Sequence, residues 1–249
     1  IMRSKVLITG SSGKLGKRVL EFNEGLSFLS PSSKDLDITS ETSVNKFLNQ
    51  NSFNTIIHCA ALARMMECEE NPNKAFLINT QGTLNLVNKV RDIEKSCKTN
   101  IRFIYISTDG VYPCINGNYD EDSPTIPYNI YGWSKLGGET TVRSLENFCI
   151  IRTRFFDPLN IPFSESADDI ITSSIEIDRL AKIINFLVKD EFNGVLNVGN
   201  EATTEFLRYI SHKPNLKKCK RSDITKNLNF EIAKNASMNI SLMKKILSS

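Results

Sequence analysis

The chain has 249 residues, 40% of them hydrophobic and 24% charged, and a net charge of +3 at pH 7. That length holds one large α/β domain with a sizeable core, and so small a charge excess argues against nucleic acid as a partner. No apolar run approaches the roughly 20 residues that a spanning helix needs, so neither a membrane nor a leader segment ahead of the first strand is expected.

Lys5–Thr9 reads as a short strand that runs into Gly10-Ser-Ser-Gly13-Lys-Leu-Gly16 and then a helical pattern with Leu15, Val19 and Leu20. Strand, glycine turn, helix is the context in which such glycines bind a dinucleotide. Gly10 permits the tight turn, Gly13 lets backbone approach a pyrophosphate, and Gly16 lets the helix pack on the strand. The helix N-terminus adds free N–H groups for the phosphates, so Gly10, Ser12, Gly13, Lys14, Leu15 and Gly16 are expected around a cofactor. A second strand is expected over 26–30. It is followed by Ser30-Pro-Ser-Ser-Lys34 with no acidic residue to hold a ribose 2′-hydroxyl. A basic residue there suits a 2′-phosphate, so Ser32 and Lys34 tilt the expectation to NADP(H), with NAD(H) still allowed. Asp37 and Ile38 come next, with Asp37 near the adenine or capping the following helix.

Thr55–Cys59 reads as a buried strand delivering Ala60, Ala61 and Ala63 to the carboxyl edge, where open α/β sheets bind ligands. His58 is expected as a hydrogen-bonded core residue. A helix starts at Asn71-Pro72 with Ala75, Leu77, Leu84, Leu86 and Val87 on its apolar face. Asn79 within it either bridges backbone or serves a proton relay at the cofactor. Ile101–Ile106 is a strand that presents Ser107, Thr108 and Asp109. A long loop over 112–130, of the kind that is usually functional, leads to Tyr131-Gly-Trp-Ser-Lys135. On a helix the phenol and the ammonium, four residues apart, share a face, and a nearby cation lowers a phenol's pKa. Phe148–Thr153 is a strand followed by Arg154 and Phe156. Residues 156–174 read as an irregular substrate-side loop, Ile177–Val188 as a helix, Gly194–Val198 as a strand, and Glu205–Ser211 and Ser241–Leu247 as short helices. Lys213–Arg221 reads as a solvated basic segment.

Alternating strands and helices predict an α/β fold, a Rossmann-like doubly wound parallel sheet with a small C-terminal substrate-side lobe. One NAD(P)-binding domain is expected over 1–249, with substrate-side segments at about 156–176 and 203–249. The six cysteines lack CxxC spacing and read as free thiols of a reducing, cytoplasmic setting, with Cys59 and Cys149 in the core. Two histidines do not build a His-rich site, and no metal is assigned.

The glycine turn, His58-Cys-Ala-Ala61, Asn71-Pro72 with Asn79, Ser107-Thr-Asp109, and Tyr131 with Lys135 occur together and in one order. In these the chain resembles the extended short-chain dehydrogenase/reductases. Leu36-Asp37-Ile-Thr39, Ser107–Tyr112, Asp168-Asp169 with Ile177–Ala181, and Lys234–Met238 make it most similar to the dTDP-4-dehydrorhamnose reductases. The resemblance implies NADPH-dependent reduction of a nucleotide-linked 4-keto-6-deoxy sugar. It makes Tyr131 the proton donor, Lys135 the residue that binds the nicotinamide ribose and lowers the Tyr131 pKa, and Thr108 with Ser107 the carbonyl's holders. Ser107, Asp109, Arg154 and Phe156 are assigned to the sugar nucleotide, and a homodimer stays open. Gly110 stands where dehydratases of the family carry a second carboxylate, which disfavours elimination. An epimerase uses the same Tyr and Lys, and a non-catalytic subunit like the methionine adenosyltransferase β subunit keeps the same fold; these are the competing readings.

Overall fold

A computed structural model describes residues 5–23 and 25–248. Strand β1, Lys5–Thr9, buries Val6, Leu7 and Ile8 completely, so both of its faces are covered. The chain turns at Gly10 into helix α1, Lys14–Glu21, and strand β2 follows as the three residues Ser27–Leu29. Ser40 caps helix α2, Glu41–Gln50, by accepting from the Ser43 N–H, one of the orphan donors at a helix start. Strand β3, Thr55–His58, pairs with the other side of β1. The chain therefore changes direction across the sheet at β1. This opens a crevice beyond the carboxyl ends of β1 and β3, the switch point where such sheets take ligands.

Helices α3, Met65–Glu70, and α4, Pro72–Phe76, lead through a π-helical turn, Leu77–Gln81, into α5, Gly82–Cys97. The π turn takes in an extra residue and rotates what precedes it. Leu77, expected on the apolar face, is consequently exposed, whereas Ala75, Leu86 and Val87 are buried. Strand β4, Arg102–Ile106, precedes a tight turn at Asp109–Val111 and the long loop. Helix α6, Ile130–Val142, is capped by Asn129, which accepts from Gly132 N, and strand β5 is Phe148–Thr153.

Residues expected as an irregular loop carry β6, Phe155–Phe156, β7, Glu165–Ala167, and β8, Ile171–Thr172, ahead of β9, Ile175–Glu176. Strands of two or three residues are too short to print a period in sequence; only their partners define them. Helix α7, Ile177–Lys189, strand β10, Gly194–Val198, strand β11, Thr203–Thr204, and helix α8, Glu205–Ile210, follow. The tail adds β12, Lys217–Cys219, α9, Arg221–Thr225, and α10, Ser241–Leu247. Pair β6–β9 closes the 155–176 segment on itself, and pairs β7–β12 and β8–β11 weave it onto the tail. The basic residues Lys218 and Lys220 both reach Asp168, at 3.7 and 2.7 Å.

The main sheet is parallel in the order β10-β5-β4-β3-β1-β2. Val6, Ile8, Ile57, Ile104 and Ile151 face α1 and α7; Leu7, Ile56, Phe103 and Ile150 face α2, α5 and α6. Each strand is thus apolar on both faces, as a parallel sheet under two helical layers requires. The long loop is fastened by the tail: Lys234 and Asn235 donate to the Cys114 carbonyl, Asn118 N donates to Ser237 Oγ at 2.9 Å, and Tyr119 bridges to Met238. Gly117, at φ +76°, lies against the Asn235 amide, which a Cβ would displace. Among the described residues no helix is long and apolar enough to cross a membrane.

Candidate active site

The cleft follows the crevice at the switch point. Gly10 adopts φ +69°, and a Cβ there would stand 2.6 Å from Ala60 N; only glycine lets β1 and β3 approach this closely. A Cβ on Gly16 would overlap the Gly10 carbonyl and push α1 off the turn. Beneath the turn runs a closed chain of hydrogen bonds. Ala60 N donates to Thr9 Oγ1, which lies 2.6 Å from His58 Nδ1; His58 Nε2 lies 3.0 Å from Thr83 Oγ1, which donates to the Asn79 carbonyl. Because the Thr83 proton goes to Asn79, His58 Nε2 carries its own proton and Nδ1 accepts from Thr9. Burial, with Lys135 adding to it, pushes the His58 pKa down to about 3. His58 is a neutral structural residue.

Two cavities lie along the crevice and share Gly10, Gly13, Cys59 and Ala61. One, of about 360 Å³, is lined by Ser12, Asp37, Ile38 and Ala60, together with Ser11 and Ser33. The other, of about 390 Å³, is lined by Lys14, Leu15, Gly16, Ala63, Ser107, Thr108, Asp109, Tyr131, Lys135 and Arg154. Cys59, expected in the core, therefore lines the cleft, whereas Cys149 is buried.

Four expected residues lie elsewhere. The backbone at 32–36 winds into a turn, with Leu36 N donating to the Ser32 carbonyl. This aims Ser32 at Asp35, to which its hydroxyl donates at 2.6 Å, and Lys34 at a separate open hollow beside α2. Ser33 faces the cleft instead. Asn79 is buried, accepts from Leu62 N at 2.8 Å and donates to the Leu62 carbonyl and Ser134 Oγ, both at 2.9 Å. It bridges backbone under the 61–63 loop rather than lining the cleft, and the π turn is what aims it there. Successive strand residues face opposite ways, so in β6 it is Phe155 that lines the cleft. Phe156 packs on Tyr209 and lines a smaller adjoining cavity.

A Cβ on Gly132 would overlap the Gly110 carbonyl, so α6 begins hard against the turn carrying Thr108. Lys135 Nζ stands 4.2 Å above the Tyr105 ring. Burial pushes its pKa down to about 8, against the raising effect of Glu139 and Cys59. Tyr131 is pushed up to about 12 by burial, with Asp109 adding and a hydrogen bond with Thr108 opposing. The shift runs opposite to the expected lowering: loss of water outweighs the Thr108 hydrogen bond and the Arg154 charge. Asp109 is buried and accepts a bidentate pair from Arg154, at 2.7 and 3.1 Å. Glu205 stands 3.9 Å from the same guanidinium, its pKa raised by burial against the lowering effect of Arg154. Thr153 Oγ1, at the cleft wall, is buried without a protein partner. The Glu69 carboxylate accepts from Ile130 N at 2.7 Å. Sequence reading missed Glu139, which is signalled by its spacing of four from Lys135, and Glu205, which carries no signal until the tail is folded back.

The RmlD substrate binding domain family matches residues 4–156. The chain belongs to this family. It is 29% identical over 196 residues to a dTDP-4-keto-6-deoxy-D-glucose reductase of Streptomyces niveus, a match covering 77% of this chain and 64% of that one. It is 31% identical over 185 residues to methionine adenosyltransferase 2 subunit beta of Xenopus laevis, covering 70% and 54%. The chain thus matches less than two thirds of the length of these relatives. A dTDP-4-dehydrorhamnose reductase of Bacillus anthracis in complex with NADP superposes with a TM-score of 0.86 at 25% identity, over 98% of this chain and 93% of that one.

Proposed function

We propose that this chain is a reductase of the RmlD family that uses NADPH, and less readily NADH, to reduce the C4 keto group of a nucleotide-linked 4-keto-6-deoxy sugar. The observation that carries the reading is that the glycine turn and the Thr108–Tyr131–Lys135 set open onto the same cleft. The names of the Streptomyces and Bacillus relatives support the substrate class, and the NADP of the latter supports the cofactor. The site fits a dinucleotide: two joined cavities of similar size, a turn with no room for a Cβ at Gly10 or Gly16, and short side chains on the sheet edge.

A bound dihydronicotinamide supplies the hydride. Tyr131 donates its phenolic proton to the oxygen that becomes a hydroxyl, and a pKa near 12 keeps that proton in place through the neutral range. Thr108 orients the carbonyl beside the phenol. Lys135 holds a ribose hydroxyl and supplies positive charge as the proton leaves. General acid help of this kind contributes roughly 10²–10⁴ in rate. Arg154, its guanidinium fixed by Asp109, offers its remaining N–H groups to sugar or phosphate oxygens. The same reading takes residues 1–249 as one domain and the working unit as a homodimer, which sedimentation velocity checks. The free cysteines suit a reducing, cytoplasmic setting.

The test is incubation of the purified chain with NADPH and a panel of dTDP- and UDP-linked 4-keto-6-deoxy sugars, following the loss of NADPH absorbance. Turnover with at least one is expected. Tight NADPH binding with no turnover would replace the enzyme by a binding subunit, as the name of the Xenopus relative describes.

A further inference from the structure

Ser107 lines the cleft, but its hydroxyl is already spoken for. Its Oγ donates to Glu139 Oε1 at 2.5 Å, and Glu139 is completely buried. The same carboxylate accepts from Arg152 Nε at 3.0 Å and from its terminal nitrogen at 2.8 Å. Arg152, itself buried, donates further to Tyr112 Oη at 2.9 Å. A guanidinium does not deprotonate, and a carboxylate paired to it bidentately only accepts. The proton between Ser107 and Glu139 therefore belongs to the serine. Glu139 also stands one turn beyond Lys135, on the same buried side of α6.

We propose that Glu139 is a positioning residue of the cleft: it takes the Ser107 proton, leaving that side chain only lone pairs to offer a ligand, and supplies the negative charge that keeps Lys135 an ammonium ion. The inference rests on the reductase reading for its consequence, though not for its geometry. A ketone oxygen accepts hydrogen bonds and does not donate them, so Ser107 does not hold the substrate carbonyl. That leaves Tyr131 and Thr108 as the donors to it: Thr108 Oγ1 accepts from Gly110 N at 3.0 Å and donates to Asp109 Oδ1 over a long 3.3 Å, a bond that a carbonyl can displace far more easily than the 2.5 Å bond of Ser107 to Glu139. Ser107 instead receives a bond from a ligand hydroxyl or amide N–H group. The division corrects the sequence expectation that Ser107 and Thr108 act together on the carbonyl.

The groups that face Lys135 are few. From β3 and the residue after it come neutral His58 and Cys59; from β4, the Tyr105 ring; from α6, Tyr131 and Glu139. Glu139 is the carboxylate among them; its hydrogen-bond partners are Ser107 and Arg152, and it acts on Lys135 through space from one helical turn away. Burial works against the charge on Lys135 and Glu139 offsets it.

The experiment is Glu139→Gln in the full chain. The rate of Lys135 acetylation by acetic anhydride is followed by peptide mass spectrometry across pH, without cofactor. The titration midpoint is expected to fall by about one unit from about 8, with about a fivefold gain in Lys135 reactivity near neutral pH. NADPH binding should be lost at a correspondingly lower pH. A midpoint that stays in place overturns the inference, because a purely structural carboxylate would leave it there. Should loss of the charge strand Arg152 and unfold the chain, Glu139→Gln with Arg152→Gln removes both charges, and a smaller downward shift is expected, because losing the Arg152 cation works in the opposite direction; an upward shift overturns the inference. Glu139→Asp keeps the charge and should keep the midpoint; a midpoint that falls there as well overturns the electrostatic role. If the unaltered chain reduces none of the keto sugars yet the midpoint moves in Glu139→Gln, the reductase reading fails and Glu139 stands. If turnover proceeds and the midpoint is fixed, the reverse holds.

Discussion

At one end of the cleft the walls are backbone and short side chains, Gly10, Gly13, Ala60 and Ala61, and the one carboxylate there, Asp37, is exposed and bonded to Thr39. At the other end Asp109, Arg154 and Glu205 bring three charges together, Asp109 buried and the other two half-buried. The first end is shaped by close approach of two strands, so it suits a ligand whose outline never varies. The second is assembled from the ends of β4 and β5 and the start of α8, so one substitution on any of three segments alters what it accepts. A cofactor shared by a whole family and a sugar that differs between members would divide in this way.

The contrast can be broken or sharpened. Tyr131→Phe, which removes the acid from the second end and leaves the first untouched, should cut turnover by roughly 10²–10⁴, with NADPH affinity within about threefold; equal losses in both would join the two ends. Arg154→Met should cost roughly 2–4 kcal/mol of stability, read by denaturant midpoint, because it strands the buried Asp109 carboxylate. Asp109→Asn in the same background should restore part of it. Beneath the first end the effect is smaller and follows pH. The unfolded chain protonates His58 near 6.5 and the native chain near 3. Stability is therefore complete above pH 6.5 and declines as pH falls toward 3, by about 1 kcal/mol between pH 6 and 5. His58→Gln should flatten that slope in an acid titration. Lys34→Ala should have the least effect, changing the preference for NADPH over NADH by less than about twofold, since Lys34 lies in the hollow beside α2. A selective tenfold loss of NADPH would put a charge at the first end after all.

The first end was legible in the sequence for the reason that it is made of backbone. A glycine demanded by positive φ or by a strand one contact away leaves a mark at its own position, and Gly10 and Gly16 carry such marks. The Tyr131–Lys135 spacing was legible because a helix converts spacing into direction. Ser32 and Lys34 misled because a turn decides where side chains point, and a turn of four polar residues has no period to read. Phe156 misled by a single residue, which in a strand is the opposite face. The Tyr131 pKa went the other way because its sign depends on how much water the fold removes, a property of the whole cleft. Glu205 and the β7–β12 pair depend on contacts across roughly 35–100 residues of chain, and no local pattern encodes them.

The loop between Thr108 and Tyr131 is stapled by residues 234–238. A ribosome releases this chain from the N-terminal side at a pace slow enough for early units to settle, so the six-stranded floor can form while the staple is still unmade. The loop that joins Thr108 to Tyr131 is then fastened only when residues 234–238 have docked on it. On this view the turn at Gly10 is complete before the loop carrying Thr108 toward Tyr131 has been fastened, so the two ends of the cleft are built at different times.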